Sequence, residues 1–413
     1  MDNGARYMNN TIKKIFFICE FPLDKRIFNI LGIDTLIAEG YIVEFWDVTP
    51  YFHKNFFERI TLEGQVEFEG YKKFNSKREI VRALSEISSD TIVNLHITLQ
   101  LDTFFIYHYL SVKNIKYCVL QMIFLPNTPP PEKRLSIKFI RSLFKRVFSL
   151  KPLHAITGLC NIILFRYYYL FNIRPADIAL LTGEKSLEVV RDPVDIHTHL
   201  IWSHAEDYDT YLTERNVSIT PDPRLGVFLD EYYPLHTDMD YLGISSPIGV
   251  EEYYAKLCTF FDHIEKTYGV RIIVAAHPRS NYSEGPDYFG GRPTVKGQTA
   301  RLVHESSFVL AHDSTSINFA VLFRRPILFI TMDKIQKCDA GRLTTALSIK
   351  AMADSLKKKP INLDTMTELD WSEELKIDLP SYEKYQNDII HKMGIPDIPS
   401  SEIYIQNIKR IYG

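Results

Sequence analysis

Hydrophobic and polar positions alternate with two different periods over the first 125 residues. An unbroken apolar run at 15–19 is typical of a strand buried in a parallel sheet. A stretch with helical spacing follows it and stops at Gly40, and a second helical stretch spans 103–112. Further strands are predicted at 42–48, 91–96 and 115–122. Strand, helix and strand in succession predict right-handed crossovers and a Rossmann-like sheet.

The same alternation continues through the rest of the chain. Further strands are predicted at 178–181, 200–203, 225–229, 271–276, 308–311 and 326–330. Helices are predicted at 250–268, 299–304, 316–323, 382–393 and 402–412. Two series of this kind predict an α/β protein of GT-B-like fold, in which two Rossmann-like domains face a central cleft.

One polar segment marks the boundary between the two series. Residues 214–224 hold two prolines and little apolar content, which is typical of a linker. We therefore expect a first domain at 1–213, with an insertion at about 126–175, and a second domain at 225–380. Residues 381–413 are expected to form C-terminal helices that pack back toward the first domain.

The insertion has an unusual charge pattern. After a proline cluster, residues 133–151 carry seven basic side chains and no acidic one. The apolar stretch that follows, 152–173, is interrupted by His154 and Arg166, so it is shorter than the roughly 20 apolar residues of a membrane-spanning helix. This pattern favours a basic, amphipathic region that lies on an anionic membrane surface. The alternative is an ordinary bundle helix with a solvated basic face.

The composition and charge of the chain indicate its cellular compartment and exclude one class of binding partner. The chain has 413 residues and a formal net charge of −3, so no global positive field attracts nucleic acid. No signal-peptide pattern opens the sequence. The cysteines form no CxxC pair, which fits a reducing cytoplasm; they are Cys19, Cys118, Cys160, Cys258 and Cys338. We expect a cytoplasmic protein, peripheral to the inner face of the cytoplasmic membrane.

Two carboxylates end the first strand of the second domain. Asp230 and Glu231 directly follow the strand at 225–229, and an open parallel sheet holds its ligands at the carboxyl ends of its strands. One carboxylate of such a pair can act as a general base on a hydroxyl group while the other orients it. The alternative is a solvated turn with a structural aspartate.

A histidine and an arginine end the next predicted strand. His277 follows the apolar run at 271–276, and Pro278 and Arg279 come next. The proline fixes the turn and holds His277 in an extended conformation. An imidazole and a guanidinium in this position can both meet phosphate oxygens. A structural histidine is the alternative.

A third polar motif follows the strand at 308–311. His312 and Asp313 end the strand, and Ser314, Thr315 and Ser316 open an apolar helix. Such side chains cap helices, but a cluster of three hydroxyl groups is more than capping requires. Together with the helix dipole the cluster suits a phosphate group.

Candidates outside these motifs are less specific. Arg292 and Lys296 lie in a glycine-rich loop and can reach a carboxylate or a phosphate, unless the loop is simply a flexible surface segment. In the first domain, polar residues at predicted strand ends are candidates for an acceptor side: Glu20, Arg26 and His96.

The histidine-proline motif at 277–278 and the hydroxyl cluster at 314–316 resemble a pair of motifs in bacterial sialyltransferases and polysialyltransferases that use CMP-sugars. CDP-glycerol glycerophosphotransferases of teichoic acid synthesis carry a similar pair. The resemblance covers mainly 225–330. It implies that Asp230 or Glu231 supplies the base, that His277 assists the departing CMP phosphate, and that the hydroxyl cluster binds this phosphate.

The chain departs from the resembled motifs at two points. Tyr232 stands where those enzymes carry glycine, and the hydroxyl motif is Ser-Thr-Ser instead of Ser-Ser. Two Asp-x-Asp triplets, at 207–209 and 238–240, are of a kind that holds a divalent metal in the other large glycosyltransferase fold. This chain does not alternate as that fold does, and no cluster has zinc spacing. We therefore expect no metal and no cofactor.

The expected function is that of a glycosyltransferase. It would move a sugar, such as a nonulosonic or Kdo-type acidic sugar, from a nucleotide donor to a glycan or lipid-linked glycan of the cell surface, with CMP as the nucleotide that the resemblance implies. The donor-binding candidates are Arg279, Arg292, His312, Asp313, Ser314, Thr315 and Ser316. The alternatives are a CDP-glycerol-type glycerophosphotransferase, an isomerase of the UDP-N-acetylglucosamine 2-epimerase type, and a non-catalytic partner with the same fold.

Overall fold

The computed structural model describes residues 11–54, 66, 68–122, 124, 126, 152–236, 239, 245–337, 345–365 and 368–413. The chain divides into two compact units. Unit 1 consists of Met1–Met122, Pro129–Ser203 and Ile398–Gly413, and unit 2 of Ile123–Thr128 and His204–Asp397. The basic segment at 133–151, the residues Asp238 and Asp240, and Cys338 lie outside the described residues.

Unit 1 is built on a parallel sheet. In chain order its described strands, β1 to β7, are Lys14–Cys19, Ile42–Asp47, Tyr71–Lys73, Thr91–His96, Lys116–Gln121, Ile178–Leu181 and His199–Trp202. Their order in the sheet is β3-β2-β1-β4-β5-β6-β7, with parallel pairing between neighbours. The chain therefore starts in the middle and winds outward in both directions, which is the Rossmann arrangement.

Helices cover this sheet and supply its core. The helices α1 to α7 are Lys25–Ile30, Ile33–Ala38, Thr49–Phe52, Lys77–Ser85, Phe104–Val112, Pro152–Arg166 and Ser186–Val189. Helix α4 shows how local sequence sets a boundary: the hydroxyl oxygen of Ser76 accepts the N–H of Glu79, and the Glu79 carboxylate accepts the N–H of Asn75. Ile80 and Leu84 on this helix are buried in the hydrophobic core of unit 1.

Unit 2 repeats the plan with a second parallel sheet. Its described strands, β8 to β13, are Leu225–Leu229, Arg271–Ala276, Thr294–Lys296, Phe308–Ala311, Ile327–Thr331 and Ile361–Asn362. The order is β10-β9-β8-β11-β12-β13, so β8 again lies inside the sheet with β9 and β11 as its neighbours. All five residues of β8 are buried, as expected for a strand that is covered on both faces.

The helices of unit 2 include those predicted at 250–268, 299–304 and 316–323, and several others that the pattern missed. The helices α8 to α15 are Glu206–Glu214, Val250–Tyr268, Thr299–Glu305, Ile317–Leu322, Asp333–Gln336, Thr345–Ser355, Trp371–Glu374 and Leu379–Tyr385. Helix α9 ends at Gly269, whose φ of 65° lies in the left-handed region that glycine enters without strain. Helix α15 continues into a π-helical turn at Gln386–Ile390, so the helix predicted at 382–393 begins and ends earlier than expected.

The last helix, α16 (Ser400–Tyr412), belongs to unit 1. Gly32, at the start of α2, lies so close to Ser401 that a Cβ there would be 2.3 Å from the serine Cβ. The phenol of Tyr404 donates a hydrogen bond of 2.9 Å to Asn94 on β4. In the part of the chain that the structure describes, no helix is both long enough and apolar enough to cross a membrane.

Each of the ten predicted strands is confirmed to within one residue at either end. The strands that the pattern missed are the short edge strands β3, β10 and β13, which have two or three residues each. A strand of this length is too short to show the period of two that identifies longer strands.

Candidate functional site

The carboxyl ends of β8, β9 and β11 meet at one edge of the second sheet. Leu229 at the end of β8 is level with Ala275 on β9 and with Ala311 on β11. The residues that follow these three strands are therefore neighbours. The structure brings three predicted motifs together at this edge, namely Asp230–Glu231, His277–Arg279 and His312–Ser316.

Asp230 organises the first two motifs. Its Oδ1 accepts the backbone N–H of Tyr232 at 3.0 Å, and its Oδ2 accepts the backbone N–H of His277 at 3.2 Å and the hydroxyl of Tyr282 at 2.9 Å. The side chain is almost completely buried, and burial raises the pKa of Asp230 to about 6 although the three hydrogen bonds oppose this shift.

Tyr232 has a backbone conformation that few side chains adopt. Its φ of 56° lies in the left-handed region, which costs a residue with a Cβ about 1 kcal/mol relative to glycine. The hydrogen bond from its N–H to Asp230 stabilises this turn. The tyrosine therefore occupies a conformation that glycine adopts more easily.

His277 has a defined ring orientation. Its Nδ1 accepts the backbone N–H of Arg279 at 3.1 Å, so the neutral ring carries its proton on Nε2. The backbone carbonyl of His277 accepts both the N–H and the hydroxyl of Ser280, at 2.9 and 2.7 Å. The ring of His236 meets the His277 ring edge to face, with 4.7 Å between centroids. The side chains of Pro278 and Arg279 are exposed beside this turn.

Glu231 faces Asp313 across the gap between β8 and β11. Their carboxyl groups are close enough to interact directly, and the hydroxyl of Ser348 also lies close to Asp313. Burial and the adjacent carboxylate of Asp313 raise the pKa of Glu231 well above its usual range. Burial also raises the pKa of Asp313. Oε1 of Glu231 is buried and has no hydrogen-bond partner among the described residues.

The hydroxyl cluster lies in the turn before α11. Oγ of Ser314 accepts the N–H of Ser316 at 3.3 Å. Ser316 precedes the helix without a side-chain capping bond, and Thr315 is exposed. Capping in the usual sense therefore does not account for these hydroxyl groups.

Helix α11, which follows the cluster, is anchored by Asn318. Its amide nitrogen donates to Asp207 on α8 at 3.0 Å, and its amide oxygen accepts the hydroxyl of Tyr385 on α15 at 3.3 Å. All six residues of the helix are buried. The turn that carries the hydroxyl cluster is therefore attached to a rigid element.

His312 points away from the ligand edge. Its Nδ1 is 2.7 Å from the carbonyl oxygen of Ile330, and its Nε2 is 2.9 Å from the hydroxyl of Tyr253. Burial lowers the pKa of His312 to about 4, so the ring is neutral. A neutral imidazole has one N–H donor and one nitrogen acceptor, and these two contacts satisfy both. This candidate donor ligand thus has the surroundings of a core residue.

Arg292 is also engaged inside the protein. Its guanidinium lies 2.5 Å from the carboxylate of Asp262 and 2.6 Å from that of Glu265, both on α9, and stacks over the ring of Phe261. Only 8% of the side chain is exposed. The structure does not bring Arg292 to the His277 turn, whereas the ammonium group of Lys296 donates to the carbonyl of Ser280 at 3.0 Å.

Sequence reasoning missed three aromatic residues of the site. Tyr282 and Tyr254 exchange a hydrogen bond of 2.9 Å, and Tyr282 continues it to Asp230. His236 touches His277. The only signal for Tyr282 was an aromatic residue in an otherwise polar loop, and nothing near Tyr254 in the sequence distinguishes it from a core position of α9.

The candidates of the first sheet form a separate group in unit 1. Oε2 of Glu20 lies 2.8 Å from Nε2 of His53, a residue that the sequence did not single out. Burial lowers the pKa of His96 to about 4, and its Nε2 has no hydrogen-bond partner within the described residues. Arg26 lies exposed on α1. No group of three or more potential metal ligands occurs among the described residues of either unit.

Comparison with solved structures gives the fold. The calicheamicin glycosyltransferase CalG4 is 11% identical, with a TM-score of 0.50 over 97% of this chain and 100% of that chain. A variant of the wall teichoic acid polymerase TagF soaked with CDPG is 13% identical, with a TM-score of 0.50 over 98% of this chain and 91% of that chain. UDP-GlcNAc 2-epimerase from Methanocaldococcus jannaschii is 12% identical, with a TM-score of 0.44 over 97% of this chain and 100% of that chain.

No protein-family model matches the chain, and no curated protein matches it. Because the identities to solved structures are 11–13%, these similarities establish the fold alone. The two parallel-sheet α/β units have the GT-B fold, which confirms the fold class predicted from the sequence.

Proposed function

We propose that this chain is a glycosyltransferase that uses a nucleotide-activated sugar, with a CMP-linked donor as the first candidate. The observation that carries the proposal is the His277 turn. The Arg279 N–H is bonded to Nδ1 of the ring, so the neutral ring carries its N–H at Nε2, at the sheet edge that also holds Asp230, Glu231, Asp313 and the three hydroxyl groups. A hydrogen-bond donor that is fixed before the reaction stabilises charge on a departing phosphate.

The donor is held by groups at the ends of β9 and β11, the two strands that flank β8. In the proposal, the hydroxyls of Ser314, Thr315 and Ser316 hold the phosphate, and Arg279 contributes a positive charge from the exposed side of the His277 turn. His312 and Arg292 take no part in donor binding, because their polar atoms are engaged elsewhere in unit 2.

The transfer itself needs a base and a stabilised leaving group. The acceptor hydroxyl loses its proton to the acidic pair Asp230–Glu231, and its oxygen bonds to the anomeric carbon of the sugar. The bond from that carbon to the phosphate oxygen breaks, and the nucleotide departs with the electron pair. His277 meets the charge that develops on the phosphate. The acceptor is a glycan or lipid-linked glycan, with Glu20, Arg26 and His96 as candidates for contact with it.

We also propose that unit 1 contacts an anionic membrane surface. Side chains that follow α6 are exposed although they are apolar, with 59% of Tyr169, 68% of Leu170 and 40% of Phe171 open to solvent. An exposed apolar surface, in a unit whose sequence also carries the basic segment 133–151, suits the headgroup region of a bilayer. Leu170→Glu should lower binding to vesicles with anionic lipids about tenfold, whereas Val217→Glu, an exposed apolar position in unit 2, should leave it unchanged. Equal binding of both variants would contradict membrane contact through this surface.

Binding of nucleotides tests the donor proposal first. Calorimetry and thermal shift with CMP, CDP, UDP and GDP are expected to give stabilisation by CMP in the wild type and loss of most of it in His277→Ala. His197→Ala removes an exposed histidine of unit 1 and serves as the control. Stabilisation by CDP alone would favour a CDP-glycerol-type transferase, and UDP or GDP would overturn the cytidine donor. Absence of binding would contradict the enzyme proposal, and turnover of UDP-N-acetylglucosamine without an acceptor would favour an epimerase.

A further inference from the structure

Glu231 and Asp313 leave neighbouring strands at the same level. Leu229 and Ala311 are paired in the parallel register of β8 and β11, so the second residue after each strand lies beside the other. The two carboxyl groups lie next to each other. Two carboxyl groups that share a partly buried site do not both ionise, because their like charges repel. The pair therefore holds one proton.

The neighbouring Asp230 has a different role. Both of its oxygens are already used by three donors, and two of these donors belong to the loop that carries His277 and Tyr282. Its contacts fix the position of this loop. Asp230 is therefore a positioning residue, and it acts on the reaction through His277.

Glu231 differs from Asp230 in having an unused acceptor. Its Oε1 is buried without a hydrogen-bond partner in the described parts of the chain. A buried acceptor in this state is destabilising, and at the edge of a sheet where ligands bind it calls for an explanation. A hydroxyl group of a substrate would satisfy it.

We infer that Glu231 and Asp313 form one proton-sharing acid pair, and that Glu231 takes the proton of the acceptor hydroxyl in the proposed sugar transfer. This inference rests on the proposed function. As the acceptor O–H bond breaks, the proton moves to a Glu231 oxygen and both carboxyl groups become neutral. The acceptor oxygen forms the new bond to the anomeric carbon, and the nucleotide leaves with the electron pair of the broken bond. The pair returns one proton to solvent after the products depart.

The shared proton also affects donor binding. Asp313 directly precedes the hydroxyl cluster that holds the phosphate in the proposed function. Two ionised carboxylates beside a phosphate would repel it, whereas a pair that keeps its proton carries one negative charge less. Binding of the phosphate therefore increases the affinity of the pair for protons, and nucleotide binding should be accompanied by proton uptake.

The first test needs no ligand. Infrared difference spectra at pH 7 between the wild type and Glu231→Gln should show the C=O band of a protonated carboxyl group, and Asp313→Asn should lose the same band. Asp230→Asn and the exposed Glu251→Gln should keep it. Retention of the band in both Glu231→Gln and Asp313→Asn would overturn the shared proton.

The second test joins the pair to the nucleotide. Calorimetry of CMP binding gives the number of protons taken up when it is done in two buffers with different heats of ionisation, at a pH high enough for the free protein to have lost part of the infrared band. We expect uptake in the wild type and in Glu251→Gln, and uptake near zero in Glu231→Gln and Asp313→Asn, with CMP still bound. Equal uptake in all four proteins would contradict the proton-sharing pair but leave the proposed function intact. A wild type that binds no nucleotide would contradict the proposed function itself.

The third test concerns the transfer step. The release of CMP from CMP-N-acetylneuraminate in water should fall about 100-fold or more in kcat for Glu231→Gln, as expected for loss of a general base, with KM changed less than threefold. The pH profile should lose its acid limb in this variant. A kcat within threefold of the wild type would show that Glu231 is not the base. No release by the wild type would contradict this donor.

Discussion

The hydroxyl group of Tyr282 donates a hydrogen bond of 2.9 Å to Oδ2 of Asp230. The same oxygen accepts the backbone N–H of His277, so a single carboxylate holds both ends of the loop that carries the histidine. Tyr282 is in turn hydrogen-bonded to Tyr254 on α9. The orientation of His277 therefore depends on a partly buried chain of contacts that reaches from the sheet edge to the long helix α9.

Tyr282→Phe should weaken this loop without removing the aromatic ring. Loss of the hydroxyl should lower the free energy of unfolding by about 1–2 kcal/mol. It also removes a hydrogen bond that favours the ionised form of Asp230, so the pKa of Asp230 should rise above its present value of about 6. Denaturant unfolding measures the first effect, and the pH dependence of CMP binding measures the second. Tyr288→Phe, in the same aromatic cluster, is the control; equal effects of both substitutions would contradict the special role of Tyr282.

Stability should depend on pH through the buried acids of unit 2. The pKa of Asp230 is raised to about 6 and that of Glu231 is raised well above its usual range. Groups with raised acid pKa values stabilise the fold fully below the unfolded-state pKa, near 4, and this contribution is lost as the pH rises through the folded-state pKa. We therefore expect the wild type to lose stability as the pH rises from about 4 to about 6 through Asp230, and to lose more above this range through Glu231.

Glu231→Gln should flatten this dependence because glutamine cannot ionise. The variant should gain stability relative to the wild type at pH 8 and differ little at pH 5, in thermal unfolding at both values. Glu251→Gln removes an exposed carboxylate of α9 and should follow the wild type. A parallel pH dependence of the wild type and Glu231→Gln would show that Glu231 does not titrate in this range.

Arg292→Ala should lower stability but not CMP affinity, whereas Arg279→Ala should lower CMP affinity but not stability. Arg292 is buried between Asp262 and Glu265, so its removal leaves two carboxylates close together. We expect a loss of about 2 kcal/mol of unfolding free energy, less than for a fully buried pair because Asp262 is largely exposed. CMP affinity should stay within twofold. Arg279→Ala should lower CMP affinity about tenfold and leave the stability unchanged. Calorimetry measures the CMP affinity and denaturant unfolding measures the stability. Loss of CMP affinity in Arg292→Ala would show that Arg292 contributes to donor binding.

Asn318→Ala should link stability to nucleotide binding. The substitution leaves Asp207 and Tyr385 without their amide partner and should cost about 2 kcal/mol. Because α11 carries the hydroxyl cluster at its start, CMP affinity should fall as well. Asn216→Ala, at an exposed position on the same unit, should change neither quantity. Unchanged CMP affinity at reduced stability would show that α11 does not position the cluster.

Ten strands of the two sheets were predictable because each is at least four residues long and rich in apolar residues, and the ends of two of them identified Asp230, Glu231 and His277. The orientations of the side chains that follow a strand end were not predictable from the sequence. His312 and Asp313 are adjacent in sequence, yet one binds inside the core and the other faces Glu231. The glycines around Arg292 indicated a ligand-binding loop. The partners of Arg292, however, are two acidic residues on α9 that lie 27 and 30 residues earlier in the chain, and a sequence pattern does not detect ion pairs over such a separation.

The helix α16 lies after unit 2 in the chain but belongs to unit 1. During synthesis on the ribosome, the segment His204–Asp397, which makes up nearly all of unit 2, emerges before α16 does. The second unit can therefore finish folding while the first still has an uncovered surface at Gly32 and Asn94, where α16 will pack. The half of the protein that is made first is thus the half that is completed last, and a nascent chain that stalls before Ser400 would present that surface to chaperones.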